Sequence, residues 1–378
     1  MSSQDDEYFL KRRSWSNSLP PATVQNKKRA SMPATLVRAY LAQFAELIPP
    51  PGFTPIAPRE KSKDEIDSLP VLCCSATSSR KAQSLIEKST AQDFERIITV
   101  LAPCLTRLMV DVYGNYACQT LFLSCSPVQR LRVVQMLAPH LLSIAQDARG
   151  THSLQALVSL ITQPAEEAVL VSAFQPHVLE VAKHPSAIHV LVKLLTTCKV
   201  NSGLIRPLIP QIETLCMHSL GLLVVKAAIS GATEVDAELL CERLVKNCVQ
   251  LMQDPVGNYA IQHMLEKWNW TACKGVLQQV RGRLVQLSSQ KFASNTVERL
   301  LEKAPEQVLD QLLTELLEPT KLRSFLDSKF AQFVLKKALL LGGSAFRLRL
   351  QKAVSAVLPS TQNKRNSKWQ CALSLLDN

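Results

Sequence analysis

The chain has no C-x-x-C pair, no apolar run approaching 18 residues, and only 11 glycines among its 378 residues. With no cysteine pairs at metal-ligand spacing, the 11 thiols point to neither zinc nor a disulfide framework, and so to a reducing compartment. Most stand inside apolar helical runs, as Cys104, Cys118, Cys241 and Cys248 do, where a thiol acts as a small core residue. Lacking a long apolar run and an opening signal peptide, the chain reads as soluble, not secreted and not membrane-bound. The seven histidines form no H-E-x-x-H, and G-x-S-x-G, Walker and G-x-G-x-x-G loops are missing too. That pattern fits a non-enzyme without metal or cofactor. Strand-like alternation is also absent, which leaves an all-α chain.

What is abundant is positive charge. Lys and Arg outnumber Asp and Glu by 43 to 31, giving a formal charge of +12 and a pI near 9.2. Such a balance suits a polyanionic partner, nucleic acid first and an acidic membrane surface second.

A period of roughly 36 residues runs along the chain. Pro103, Pro139, Pro176 and Pro210 open short apolar segments at spacings of 36, 37 and 34, and 12 residues after each comes a further segment, at Asn115, Thr151, Ile188 and Leu222. Equivalent segments begin at Ser79, Asn258, Ser294 and Gln332, which makes eight units. Each carries three stretches with helical i, i+3, i+4 spacing, such as DFERIITVLAP, CLTRLMVD and NYACQTLFLSC. Gly114, Gly150, Gly221 and Gly257 hold the slot just before the third stretch, which fits a helix boundary. These features predict a solenoid of three-helix units, each burying its faces against its neighbours. Residues 64–358 form the repeat domain, with 344–358 (SAFRLRLQKAVSAVL) as a closing cap helix and 359–378 as a C-terminal tail.

The third helices begin with five residues whose third and fourth positions are mostly apolar and so point to the core. The first, second and fifth are expected together on the opposite face as a stripe. From the first unit onward it comprises Ser79/Arg80/Gln83, Asn115/Tyr116/Gln119, Thr151/His152/Gln155, Ile188/His189/Val192, Leu222/Leu223/Lys226, Asn258/Tyr259/Gln262, Ser294/Asn295/Glu298 and Gln332/Phe333/Lys336. Asn, Ser and Thr cap helices well, yet capping leaves unexplained why Gln or Glu recurs one turn later in five of the eight units. A planar side chain in the middle place, with an amide a turn on, is what stacking on one base and bonding its edge requires.

On these residues the chain resembles the Pumilio-homology (PUF) family of RNA-binding repeats, across 64–358. LMVDVYGNYACQ at 108–119 and KFASNTVERLLEKA at 291–304 carry the likeness most closely. The resemblance implies a right-handed, curved α-solenoid with cap helices and one base per unit. In the family, Asn-Tyr-x-x-Gln selects uracil, matched by Asn115/Tyr116/Gln119 and Asn258/Tyr259/Gln262. Ser-Asn-x-x-Glu selects guanine, as at Ser294/Asn295/Glu298, and Ser-Arg-x-x-Gln adenine, as at Ser79/Arg80/Gln83. Thr151/His152/Gln155 has His where Arg is usual, a softened adenine site. Ile188 with Val192, and Leu222/Leu223/Lys226, lack edge-bonding groups, although His189 can stack. Gln332/Phe333/Lys336 keeps a stacker but departs at Lys336. With RNA antiparallel, the implied site is 5′-NGUNNAUA-3′.

The resemblance also implies a monomer that regulates messenger RNAs through their 3′ untranslated regions, by translational control or changed mRNA stability. It would act in the cytoplasm with a nuclear fraction, and deadenylase or repressor proteins would dock on its outer face. The other reading is a helical scaffold that binds mainly proteins, with weak or vestigial RNA contact. Residues 1–63 form a basic, Ser/Pro-rich tail and linker, with a short helix at 35–48 as a cap or docking segment. Lys11–Arg13 and Lys27–Arg29 fit a two-part nuclear signal, or a solvated tail that touches phosphates. Ser14 and Ser31, beside them, are candidate phosphorylation sites.

Overall fold

The computed structural model describes residues 63–357. The tail, the helix at 35–48, the linker, both basic clusters, Ser14, Ser31 and residues 358–378 lie outside the described residues. Among the described ones every regular element is a helix. They come in threes, as in Ala91–Leu101, Leu105–Val110 and Gly114–Ser124, then Pro127–Leu137, Leu141–Gln146 and Gly150–Ser159.

Local chemistry sets the boundaries. Ser126 accepts from Gln129 N while the Gln129 side chain returns to Ser126 N, a reciprocal cap on Pro127–Leu137. The periodic prolines do not open the second helices. Pro103, Pro139 and Pro176 sit in 3₁₀ turns, Ala102–Cys104, Ala138–His140 and Gln175–His177, and Pro210 in the turn Arg206–Gln211. Proline has no N–H for an i→i−4 bond, so it fits the short connector and not the helix interior. A Cβ on Gly150 would lie 2.3 Å from Ile144 O, so the glycine admits the second helix's carbonyl against the start of the third. The last helix, Ala331–Val357, turns at Gly343 (φ 56°) and continues, burying Phe346, Leu350 and Val354.

The third helices, Ser79–Glu87, Gly114–Ser124, Gly150–Ser159, Ala187–Thr197, Ser219–Gly231, Asn258–Lys267, Ala293–Lys303 and Ala331–Val357, each pack on the next. They form one unbroken layer. The first helices make contacts of their own, Pro127–Leu137 against Pro164–Phe174 for example. Between them runs a chain of buried polar groups. Arg130 Nε meets Glu166 Oε1 at 2.7 Å, both almost fully buried, and Glu166 Oε2 accepts from Thr162 N and Gln163 N at 3.0 Å. Glu167 Oε2 accepts from Lys199 N and Val200 N, and Asn201 Nδ2 donates to Leu195 O and Gly231 O. The nine described cysteines are free thiols, and burial pushes Cys125, Cys198, Cys216 and Cys248 up to about 12.

Asp236 joins two neighbouring units. Burial raises its pKa, but the Ser202 and Thr233 hydroxyls and the Arg206 guanidinium, 3.0 Å away, outweigh burial and hold it below its ordinary 3.8. A carboxylate depressed in the folded state adds stability above its ordinary range and loses it as pH falls through the depressed value. Acid titration of Asp236→Asn, followed by circular dichroism, is therefore expected to show a shallower stability loss below pH ~4 than the parent chain. Parallel acid profiles would refute this role.

Candidate nucleic-acid interface

The stripe is built from the turn that precedes each third helix. Asp111 Oδ1 accepts from Tyr113 N at 2.9 Å and Gly114 N at 2.8 Å, and Asp147 Oδ1 from Arg149 N and Gly150 N, both at 2.8 Å. Asp254 Oδ1 repeats the arrangement with Val256 N and Gly257 N. In units four and five a histidine takes the aspartate's place. His184 Nδ1 accepts from Ser186 N and Ala187 N, and His218 Nδ1 from Gly221 N, all at 3.2 Å. Ser328 Oγ does the same for Phe330 N and Ala331 N. In units two to six and in unit eight these residues hold the turn from which the third helix starts, and the sequence reading did not single them out. Their signal was there: each stands four places before the first stripe residue, a column of short acceptors in the same period.

In unit two, Asn115 Nδ2 donates to Asp111 O at 2.8 Å and Val112 O at 3.0 Å, and its Oδ1 accepts from Gln119 Nε2 at 3.3 Å. Unit six is the same in kind. Asn258 Nδ2 donates to Asp254 O and Pro255 O, and Asn258 Oδ1 accepts from Gln262 Nε2 at 2.7 Å. In unit three Gln155 Nε2 donates to Thr151 Oγ1, whose hydroxyl bonds Ser186 O in the next unit. In unit one Gln83 Nε2 donates to Ser79 O.

The geometry corrects one expectation. The first stripe residue does not share the open face with the second and fifth. Ser79, Asn115, Thr151, Ile188, Leu222, Asn258 and Ser294 are all buried, and only Gln332 is half-exposed. The neighbouring unit packs over the start of each third helix, so this residue works from beneath. The second residues Arg80, Tyr116, His152, His189, Leu223 and Tyr259 stand exposed, with Asn295 and Phe333 half-buried. The fifth residues Gln83, Gln119, Gln155, Val192, Lys226, Gln262 and Glu298 are half-buried, and Lys336 is exposed. The third and fourth positions, such as Ala117/Cys118 and Ala260/Ile261, are core as expected.

A division of labour follows. In units two and six, asparagine uses both amide hydrogens on backbone carbonyls and its oxygen to fix the glutamine. One N–H and the carbonyl oxygen of Gln119 or Gln262 remain, one donor and one acceptor in fixed orientation. Tyr116, 55% exposed, and Tyr259, 39% exposed, offer flat faces beside them. A uracil edge presents a complementary N–H and C=O. Units four and five put Ile188 and Leu222 in the buried slot and have no such pair.

A Pumilio-family RNA binding repeat model matches residues 105–138, 247–269 and 283–317. A Pumilio domain-containing protein of Schizosaccharomyces pombe is 30% identical over 289 residues, covering 75% of this chain and 42% of its own length. Pumilio homolog 9 of Arabidopsis thaliana is 27% identical over 276 residues, with 72% and 48% covered. The chain thus spans about half the length of these curated relatives. Among solved structures, a Puf4 RNA binding domain bound to an HO endonuclease RNA 3′ UTR recognition sequence superposes with TM-score 0.72 at 23% identity, covering 84% of this chain and all 100% of that one. PUF-8 in complex with PBE-RNA gives 0.72 at 17% identity, with 90% and 99% covered. At these identities the superpositions establish the fold.

Proposed function

Because the chain belongs to the Pumilio family of RNA-binding repeats, we propose that it binds single-stranded RNA sequence-specifically, one base to each of eight units, at a site of the form 5′-NGUNNAUA-3′. One observation carries this reading: the exposed planar residue and the anchored amide one turn later, repeated along a continuous layer of helices. Binding to messenger RNA 3′ untranslated regions, for control of translation or mRNA stability in the cytoplasm, is the physiological part of the proposal. It is supported by the likeness to the Puf4 domain and the RNA that domain holds.

Selection of bound sequences from a random RNA pool by the full chain tests it. Letters two and three should emerge as G and U and the last three as A, U and A, with letters four and five unspecified. Tyr116→Ala or Tyr259→Ala should each weaken binding by about 1–3 kcal/mol, the usual worth of a base–aromatic stack. Ile188 and Leu222 are core residues, so the comparison on the same face is the exposed Leu223. Leu223→Ala should change affinity little. A featureless selection, or a larger loss at Leu223 than at the tyrosines, would put the protein-binding scaffold in front.

A further inference from the structure

At unit five the stripe has Leu222 buried and Leu223 exposed, and neither bonds a base edge. Its fifth position is Lys226, half-buried, and among the described residues Lys226 has no ion-pair partner. One turn further along the same helix, Ser230 Oγ lies 2.9 Å from His263 Nε2, which brings the imidazole of the next unit against the Lys226 side of the gap. Lys267 follows His263 by one turn on helix Asn258–Lys267 and likewise forms no ion pair among the described residues. Burial first, then the charges of Lys226 and Lys267, hold His263 below its ordinary 6.5 against an opposing Glu266 and the Lys226 backbone.

We propose that Lys226, His263 and Lys267 form a cradle for one phosphodiester of bound RNA, placed where the strand passes the unit that reads no base. The inference rests on the RNA-binding reading above. Phosphate fits better than a base edge. Lys226 and Lys267 are donors only and act as point charges, whereas the pairing edges of adenine, cytosine, guanine and uracil each mix donors with acceptors. Lys226 stands one turn before Ser230 and Lys267 one turn after His263, so the two long side chains flank the imidazole from adjacent helices. The strand is then held at letter four by its backbone, and the base there is free to vary.

Titrations of the full chain and Lys226→Gln with an eight-nucleotide site, over a range of salt, test this. Lys226→Gln should lower affinity by one common factor for all four bases at letter four, and for an abasic residue there. The slope of log K against log salt should become shallower by about 0.7, the value for one phosphate contact to a single strand. A neutral methylphosphonate at a linkage flanking letter four should weaken the parent chain and leave Lys226→Gln unaffected. A loss that depends on the base at letter four, or an unchanged salt slope, overturns the cradle. The parent chain's preference for the site over a scrambled octamer is the separate check on RNA reading itself. If that preference is present while the slope is unchanged, only the cradle falls.

Discussion

Replacing Ser294 by Asn, Asn295 by Tyr and Glu298 by Gln is expected to turn the second letter of the site from guanine to uracil. Each good two-point contact discriminates by about 1–3 kcal/mol, so the preference should swing by roughly twice that, from one base to the other. The structure adds a condition on the first substitution. Ser294 is fully buried, with its hydroxyl 3.5 Å from Lys291 O. An asparagine there must reach the carbonyls three and four residues back, as Asn258 does at Pro255 and Asp254. Only then is the glutamine that replaces Glu298 anchored. Asn295→Tyr with Glu298→Gln, lacking the third change, should therefore give a weaker switch than the triple variant. Paired titrations of 5′-UGUAAAUA-3′ and 5′-UUUAAAUA-3′ decide the matter. If parent and triple variant bind both RNAs equally, one unit does not read one base.

The second large effect concerns stability. Glu166→Ala should cost about 3–5 kcal/mol, the range for breaking a buried ion pair, because it orphans more than Arg130. Thr162 N and Gln163 N lose their acceptor as well, and a buried N–H without a partner is costly in itself. Glu166→Gln keeps an oxygen for those amides and should lose less. Arg130→Ala should approach the glutamate deletion in size, and the double alanine variant should fall well short of the sum, since one network is removed once. Denaturant unfolding of the four variants measures this. Full additivity, or a Glu166→Ala loss under about 1 kcal/mol, would mean the pair is not a structural unit.

Much of this was legible before any coordinates. The period, the three-helix unit, the glycine slot and the columns of second and fifth residues follow from spacing, because a helix fixes direction at known intervals. The burial of the first stripe residue did not follow. It depends on how closely the neighbouring unit packs over the helix start, and a single helix's periodicity carries no information about that. The histidines His184 and His218 escaped for a related reason. Their role is to replace an aspartate as a turn acceptor, and it shows only when backbone N–H groups are seen converging on Nδ1. The prolines misled by two residues, since a 3₁₀ connector and the first turn of an α-helix ask for the same φ.

The buried first slot makes the loss of an RNA letter easier than its recovery. Ile188 is wholly enclosed and Leu222 nearly so, in the place where Asn115 and Asn258 spend all their hydrogen bonds on carbonyls and a glutamine. Drifting from asparagine to an aliphatic residue there exchanges polar bonds for apolar burial and keeps the array folded. The return step inserts a polar amide into a packed hydrophobic slot, beside Val192 or Lys226 and without a glutamine to receive it. In unit four, with Val192 one turn on, that amide oxygen is a buried acceptor without a donor, at a cost of about 1–3 kcal/mol, whereas in unit five the Lys226 ammonium is a donor within reach. A change at the exposed second positions meets no such packing, so new specificity is more accessible there than at the buried first ones.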